Sequence, residues 1–309
     1  MPANQIPVHP EQSVRLSSHH GIMVREDTAF TNREGIEKLG IRKRTEKALD
    51  KLQEPLRRIL EPDEAVLYVA RAQIMLTGIE KLSIGGYAAL LAPAVLVLTN
   101  QRLLHLLVTW NGRWKRSMRG ARWGDMEEAK VKGLLNVTLN ITYRDGRKEI
   151  YGRMIRNDAK KIQLLLDAVL PHATGETSAA LGMTSFCPEC RAPLTREVYE
   201  CANCRMKFKN EKTLLKLSMF IPGGGLFYTG HLLLGLLHAM TDLILILIAV
   251  FWSMVALGIA HPAPTSGHAP GGKATALIIV AFMAAGLAFH KWMLIRVSRK
   301  LVRNYIPAS

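Results

Sequence analysis

Outside the short window 187–204 the chain contains no cysteine. A disulfide framework spread through the fold is therefore excluded. The chain also lacks a G-x-S-x-G elbow, so nothing marks a serine hydrolase. The glycine run Gly223–Gly225 is not followed by Lys and Ser/Thr, which removes a nucleotide phosphate loop. No internal repeat is present. The first residues, MPANQIPVHPEQS, have neither the basic start nor the apolar run of a secretory signal.

The four cysteines that are present form C-x2-C-x10-C-x2-C. Cys187 and Cys190 lie in Cys-Pro-Glu-Cys, Cys201 and Cys204 in Cys-Ala-Asn-Cys. Two close pairs of thiolates can close a tetrahedral shell around one Zn²⁺. Pro188 and Ala202 lie inside the two knuckles, and the residues between the pairs fit a short hairpin. Two disulfides would need an oxidising compartment. A redox pair would need a βαβ setting. The spacing favours structural zinc over both. Four sulfur ligands leave no open position for water, so no chemistry is expected at the metal. Over about residues 185–208 the pattern resembles a zinc ribbon.

Two uncharged runs follow, 243–260 (LILILIAVFWSMVALGIA) and 274–289 (ATALIIVAFMAAGLAF). About 20 apolar residues span a bilayer. With their flanks, these runs predict membrane helices over 233–260 and 274–292. The segment 261–273 between them is rich in Pro, Gly, Ser and Thr. Lysines gather before the first helix (Lys207, Lys209, Lys212, Lys216). Basic residues also follow the second (Lys291, Arg296, Arg299, Lys300, Arg303). By the positive-inside bias both ends are cytoplasmic and the loop is extracytoplasmic. The hairpin then ends in a basic cytoplasmic tail, 293–309.

Residues 209–232 combine an apolar stretch with Pro222 and three glycines, which break a helix. An interfacial helix and a turn are expected. Pro222, Gly223, Gly225, Tyr228 and Gly230 form P-G-x-G-x-x-Y-x-G. This resembles a motif of small bacterial two-helix membrane domains, which often follow a zinc ribbon. The resemblance implies a compact membrane hairpin without established catalysis. Asp242, with His238 one turn earlier, reads as a solvated carboxylate at the interface. Deeper in the membrane it would be a functional candidate.

At the front, 1–34 show no period and are expected to be disordered. His19-His20 in this stretch is only weak evidence of a site. From 35 to 62 the pattern is helical: Leu49, Leu52, Leu56, Ile59 and Leu60 recur at threes and fours. Pro55 should kink or divide the helix. Its basic face suits either an anionic lipid surface or plain solvent.

Residues 63–171 read as one β-rich domain. Strands are expected over 65–71 and 94–99, followed by RLLHLLVTW. NVTLNITY alternates, with Val137, Leu139, Ile141 and Tyr143 on one face. Asp145-Gly146 marks a hairpin turn. Asn157 is placed to cap a helix running to Leu170. The V-L-T-N-Q-R-L-L piece from Val97, with the last hairpin and closing helix, resembles a bacterial pleckstrin-homology domain. That implies a small barrel closed by a C-terminal helix, used for binding or self-assembly. The stretch 83–99 nearly reaches spanning length, but Gly85-Gly86, Pro93 and clustered valines favour a strand at its end.

The segment 110–123, WNGRWKRSMRGARW, reads as a loop. Arg113, Lys115, Arg116, Arg119 and Arg122 are interleaved with Trp110, Trp114 and Trp123. It suits anionic headgroups, or nucleic acid through phosphate contact and stacking. It equally suits a hairpin rim whose tryptophans pack on the barrel. The net charge of +16 is spread along the chain, which a protein facing an anionic leaflet explains without nucleic acid.

The expected whole is α+β and multidomain. A pleckstrin-homology-like barrel with a capping helix leads through a linker at 172–184 into a zinc ribbon and a transmembrane hairpin. The expected function is a non-enzymatic adaptor or scaffold in a bacterial inner membrane, with structural Zn²⁺ as cofactor. Its expected partners are membrane lipid and an unidentified protein or a second copy of the chain. Two alternatives belong to other classes. One is an accessory subunit of a membrane transport or enzyme complex that uses Asp242 and His238. The other is a membrane-tethered nucleic-acid binder.

Overall fold

The computed structural model describes residues 14–75, 91–133, 137–173, 177, 178, 181–260 and 272–308. Two compact units divide the chain. The first gathers the described residues up to 75, from 91 to 208 and from 304 on. The second gathers those between 209 and 303.

The first unit begins with strands β1 (Leu16–His19) and β2 (Ile22–Arg25), then a short helix α1 (Glu26–Ala29) and the long helix α2 (Leu39–Ile59). Strands β3 (Val66–Ile74), β4 (Pro93–Thr99), β5 (Arg102–Val108), β6 (Trp114–Arg122), β7 (Met126–Lys132), β8 (Thr138–Tyr143) and β9 (Lys148–Gly152) follow. Helix α3 (Arg156–Val169) and strand β10 (Thr184–Phe186) complete it.

The strand order is β10-β6-β5-β4-β3-β9-β8-β7, with the β1–β2 hairpin attached to β3. The path is antiparallel throughout; only the attached β2 meets β3 in parallel. The sheet is open, which corrects the expected closed barrel. β3 meets β9 only through Gln73 and Ile74 at its end. The edge beside β6 is taken by β10, so β7 is left as the other edge.

Helices cover both faces of the β3–β5 region. Leu96 and Leu98 pack with α3, whereas Val95 and Val97 pack with α2. A strand buried on both faces needs no polar alternation, and AVLVLT has none. β8 is buried on one face, and there Leu139, Ile141 and Tyr143 are sealed as the alternation predicts.

Four expectations fail here. Residues 14–34 are structured, because Ile22, Val24, Ala29 and Phe30 join the α2 core and Arg25 is ion-paired to Asp27 at 2.9 Å. Pro55 does not divide α2, which runs through it to Ile59 without the i→i−4 hydrogen bond that a proline cannot donate. α3 has Ile155 at its N-cap position with no side-chain cap, so Asn157 does not cap it. The expected loop 110–123 is largely strand β6. The alternative span at 83–99 is strand from Pro93 onward; 83–90 lie outside the described residues.

The second unit is helical: α4 (Glu211–Phe220), α5 (Gly224–Tyr228), α6 (Leu232–Ala256) and α7 (Lys273–Val302). The Asn210 side chain caps α4 by accepting the Thr213 N–H. α6 and α7 are long and apolar enough to cross a membrane. At 1.5 Å per residue they measure roughly 37 and 45 Å. α7 runs on to Val302, so the expected tail from 293 is helix for its first ten residues. Most of the predicted loop 261–273 lies outside the described residues.

Candidate functional site

The four cysteines come together within the first unit. The Cys187 N–H donates to Ala192 O, and the Arg191 N–H donates to Cys187 O, both at 2.9 Å. The second knuckle repeats this: Cys201 N–H to Met206 O and Arg205 N–H to Cys201 O, again at 2.9 Å. Arg191 and Arg205 both occupy the left-handed region, at φ 62° and 58°. The repeated Cys-x-x-Cys-Arg was therefore a structural signal, legible beside the cysteines themselves. Isolated bridges close each knuckle, Phe186 with Pro193 and Glu200 with Lys207.

The sulfurs of Cys187 and Cys204 are 3.5 Å apart, as are those of Cys190 and Cys201. All four lie within 4.8 Å of one another. A tetrahedral shell with metal–sulfur bonds of about 2.3 Å has sulfur–sulfur edges of roughly 3.8 Å. The cluster thus fits a metal ion of zinc's size. Burial pushes the Cys187 thiol up to about 12. Cys190 lies at about 6, because slight desolvation is outweighed by hydrogen bonds from the Ala192 amide and the Asn203 side chain. A metal entering at neutral pH must displace the Cys187 proton.

A small core supports the cluster: Cys187 and Cys201 pack with Leu194, Phe208 and Tyr305. The Tyr305 hydroxyl donates to Thr195 O at 2.7 Å, and the Ala308 N–H donates to Lys207 O at 3.1 Å. Residues 304–308, expected to be a cytoplasmic tail, thus complete the cysteine module. β10 joins that module to the sheet by pairing Thr184–Phe186 with Met118–Gly120 of β6.

The seven residues proposed for an anionic surface do not share one face. Arg113 and Arg116 are exposed, the latter 3.1 Å from Glu189. Lys115 is half-buried, and Arg122 lies 3.9 Å from Glu61. The half-buried Trp114 donates its indole N–H to Ser117 O. Trp123 is 4% exposed and donates to Thr99 O. Arg119 points inward, hydrogen-bonded to Glu149 and to Asn304 Oδ1. Strand alternation is the reason: Met118 joins the α2 face, and its neighbour Arg119 turns to the opposite one. Arg119 and Trp123 are thereby removed from any lipid contact. Glu149 also accepts from the hydroxyls of Tyr143 and Tyr151, forming an internal network that sequence reasoning missed.

In the second unit the Pro222–Gly230 motif is a close-packing device. Gly223 has φ +66°, and a Cβ there would lie 2.1 Å from Gly235 O. At Gly225 a Cβ would meet Ser218 Oγ at 2.5 Å and Ser298 Oγ at 3.0 Å. Pro222 precedes this contact in the turn between α4 and α5. The Tyr228 hydroxyl accepts the Asn210 N–H at 3.0 Å. Gly230 has φ +80° with open space around it.

The same turn holds Asp242. Its carboxylate is fully buried and accepts from the Gly223 N–H (3.2 Å), Lys291 Nζ (2.8 Å) and His290 Nδ1 (2.9 Å). His290 Nε2 meets His238 Nδ1 at 3.0 Å. This corrects the solvated reading of Asp242. Helix packing converts it into the centre of an ion cluster, and its partners on α7 lie almost fifty residues away in sequence.

His19 and His20, at the tip of the β1–β2 hairpin, both direct Nε2 to Asp50 Oδ1, at 2.9 and 3.1 Å. The His pair thus has a fixed position on α2.

No protein-family model matches the chain, and no curated protein matches it. Among solved structures, the C-terminal domain of an unknown protein from Leishmania infantum aligns at 10% identity, covering 42% of this chain and 98% of that one, with a TM-score of 0.26.

Proposed function

We propose that the chain is a non-enzymatic adaptor anchored in a bacterial inner membrane. In this reading α6 and α7 form the transmembrane hairpin. The first unit is a pleckstrin-homology-like binding or self-assembly domain at the cytoplasmic face. The four-cysteine module is a zinc ribbon whose metal is structural. The observation that carries the reading is the outward apolar surface of the long helices. Leu232, Leu233 and Leu247 of α6 are 75%, 63% and 66% exposed, and Phe282 of α7 is 73% exposed. Apolar surface on this scale is left bare in water only at a cost, and lipid covers it. The antiparallel run β3–β9 followed by α3 supports the domain assignment, and the sulfur geometry supports zinc. Partners are membrane lipid and an unidentified protein or a second copy.

Fractionation tests the anchor. The protein should sediment with membranes and resist extraction by alkaline carbonate. Release into the carbonate supernatant would exclude spanning helices. A second reading, an accessory subunit of a membrane complex, draws on the His238–His290–Asp242 chain. It requires that His238→Ala fail to complement the phenotype of the deletion strain while leaving protein abundance unchanged.

A further inference from the structure

A cleft of about 490 Å³ lies between α2 and the β3–β4 part of the sheet. Its lining includes five cationic side chains and one carboxylate. The carboxylate, Asp158, is already engaged. It accepts Arg44 Nη2 at 2.5 Å and the Tyr68 hydroxyl at 2.9 Å. Four cations face the cleft beyond that pair: Lys43, Lys47, Lys51 and Arg71.

Their arrangement has no structural use among the described residues. Lys43, Lys47 and Lys51 follow one another at i, i+4 spacing, a like-charge row that disfavours the helix. The carboxylates of α2 are directed elsewhere. Glu46 faces Arg42, Asp50 holds His19 and His20, and Glu54 faces Arg58. No ion pair within the described residues reaches Lys43, Lys47, Lys51 or Arg71. Lys51 donates only to the Asn111 carbonyl. The β5–β6 turn presses close to two of them: a Cβ on Gly112, at φ +84°, would lie 3.3 Å from Lys51 Cδ and 3.4 Å from Arg71 Nη2.

The floor is different. Leu52, Val69 and Val95 lie beneath it, sealed in the core, and the half-buried Ala48 and half-exposed Ile155 give it accessible apolar surface. Cations converging from a helix and a strand over an apolar floor suit a ligand with an anionic head and an apolar body. The apolar face of α2 itself is buried in the sheet, so the helix cannot lie flat in a bilayer. It can only present this row to a ligand that enters the cleft.

We infer that the α2–sheet cleft is a binding site for a phosphate monoester headgroup, held by Lys43, Lys47 and Arg71 with its apolar portion against Ala48 and Ile155. The inference goes beyond the adaptor reading and does not need the membrane anchor, so the two can fail separately.

The test uses the full chain in phosphatidylcholine nanodiscs, with empty nanodiscs as reference. Calorimetric titration compares dihexanoyl phosphatidic acid, the lipid source, with glycerol 3-phosphate, the soluble source. Binding of either, weakened by added NaCl, is expected. Tighter binding of the phosphatidic acid assigns the lipid. Equal binding assigns a soluble phosphate ester and would overturn the apolar contact. K47E/R71E should weaken binding by roughly thirtyfold, as expected for two cations beside an anionic headgroup. Lys148→Glu, an exposed charge change on β9, should leave it unchanged. If K47E/R71E melts below the wild type, K47Q/R71Q replaces it. Absence of binding by both probes, or equal binding by the cleft variants and Lys148→Glu, would overturn the site.

Discussion

His105 is fully buried in β5, and neither ring nitrogen has a hydrogen-bond partner among the described residues. Burial, reinforced by nearby Arg119, lowers its pKa from 6.5 to about 3. The folded state therefore holds the ring neutral, while the unfolded chain takes up a proton near the ordinary value. Stability associated with His105 is complete above about pH 6.5 and is lost as pH falls toward 3. His105→Leu should flatten the acid limb of a stability–pH curve measured by urea unfolding. It should also raise stability at neutral pH by about 1 kcal/mol, since an unpaired polar ring is replaced by an apolar side chain. An unchanged acid limb would mean that the ring is solvated in the native protein. Asp242 makes the opposite case, a buried charge that is fully paired. Asp242→Asn leaves the Lys291 ammonium without its counter-ion and should cost about 3 kcal/mol. The pair replacement D242L/K291M should recover most of that loss in a detergent thermal melt. If Asp242→Asn melts with the wild type, the cluster contributes nothing to stability. Neither residue announced its environment. His105 sits in an apolar run that any buried strand would have, and Asp242 stands beside a span that could equally have begun after it.

The turn between α4 and α5 shows what an element requires of its glycines. Gly223 combines a left-handed φ with a carbonyl 2.1 Å from where a Cβ would stand. Gly223→Ala should cost more than about 2 kcal/mol, whereas Gly230→Ala, strained but in open space, should cost about 1 kcal/mol. Comparable melting temperatures for the two variants would show that the α5–α6 contact is loose. The motif was legible as a string of residues, but its purpose was not. Spacing revealed a helix break, and only the approach of Gly235 revealed why no side chain is admitted. β6 makes the complementary point. Its arginines and tryptophans suit a basic-aromatic surface and a rim packed on the domain equally, because composition has no direction. A strand sends successive side chains to opposite faces, so Arg119 went inside with Glu149 while Arg116 stayed in solvent.

At the scale of the whole chain, residues far apart in sequence finish each other's structures. Tyr305 follows the last long helix, yet its ring lies 5.6 Å from those of Tyr199 and Phe208 beside the cysteines. Tyr305→Ala should destabilise the cysteine module by about 3 kcal/mol, read as faster amide exchange over 187–208. Unchanged exchange would detach the C-terminus from that module. Metal content is the second prediction at this scale. The purified chain should carry a single zinc. Its affinity, measured by competition with a fluorescent chelator, should fall as pH drops from about 8 to 6, because cysteine protons compete with the metal. A pH-independent affinity would argue against thiolate ligation.

The sequence by itself determined the elements whose signals are local. The four-cysteine spacing, the two uncharged runs, the alternating strand at 137–143 and the amphipathic period of α2 each depend on neighbours a few residues away. Tertiary structure alone decided which charges became partners. It left the sheet open by giving the β6 edge to β10, buried Arg119 against Glu149 and enclosed Asp242 between helices. It also drew residues 304–308 back to the cysteines, and left the α2 lysine row facing a cleft without a counter-ion among the described residues. The physical reason is that burial and pairing are properties of surfaces brought together by folding. One-dimensional spacing records which residues can share a face of one element, but not which second element will cover that face.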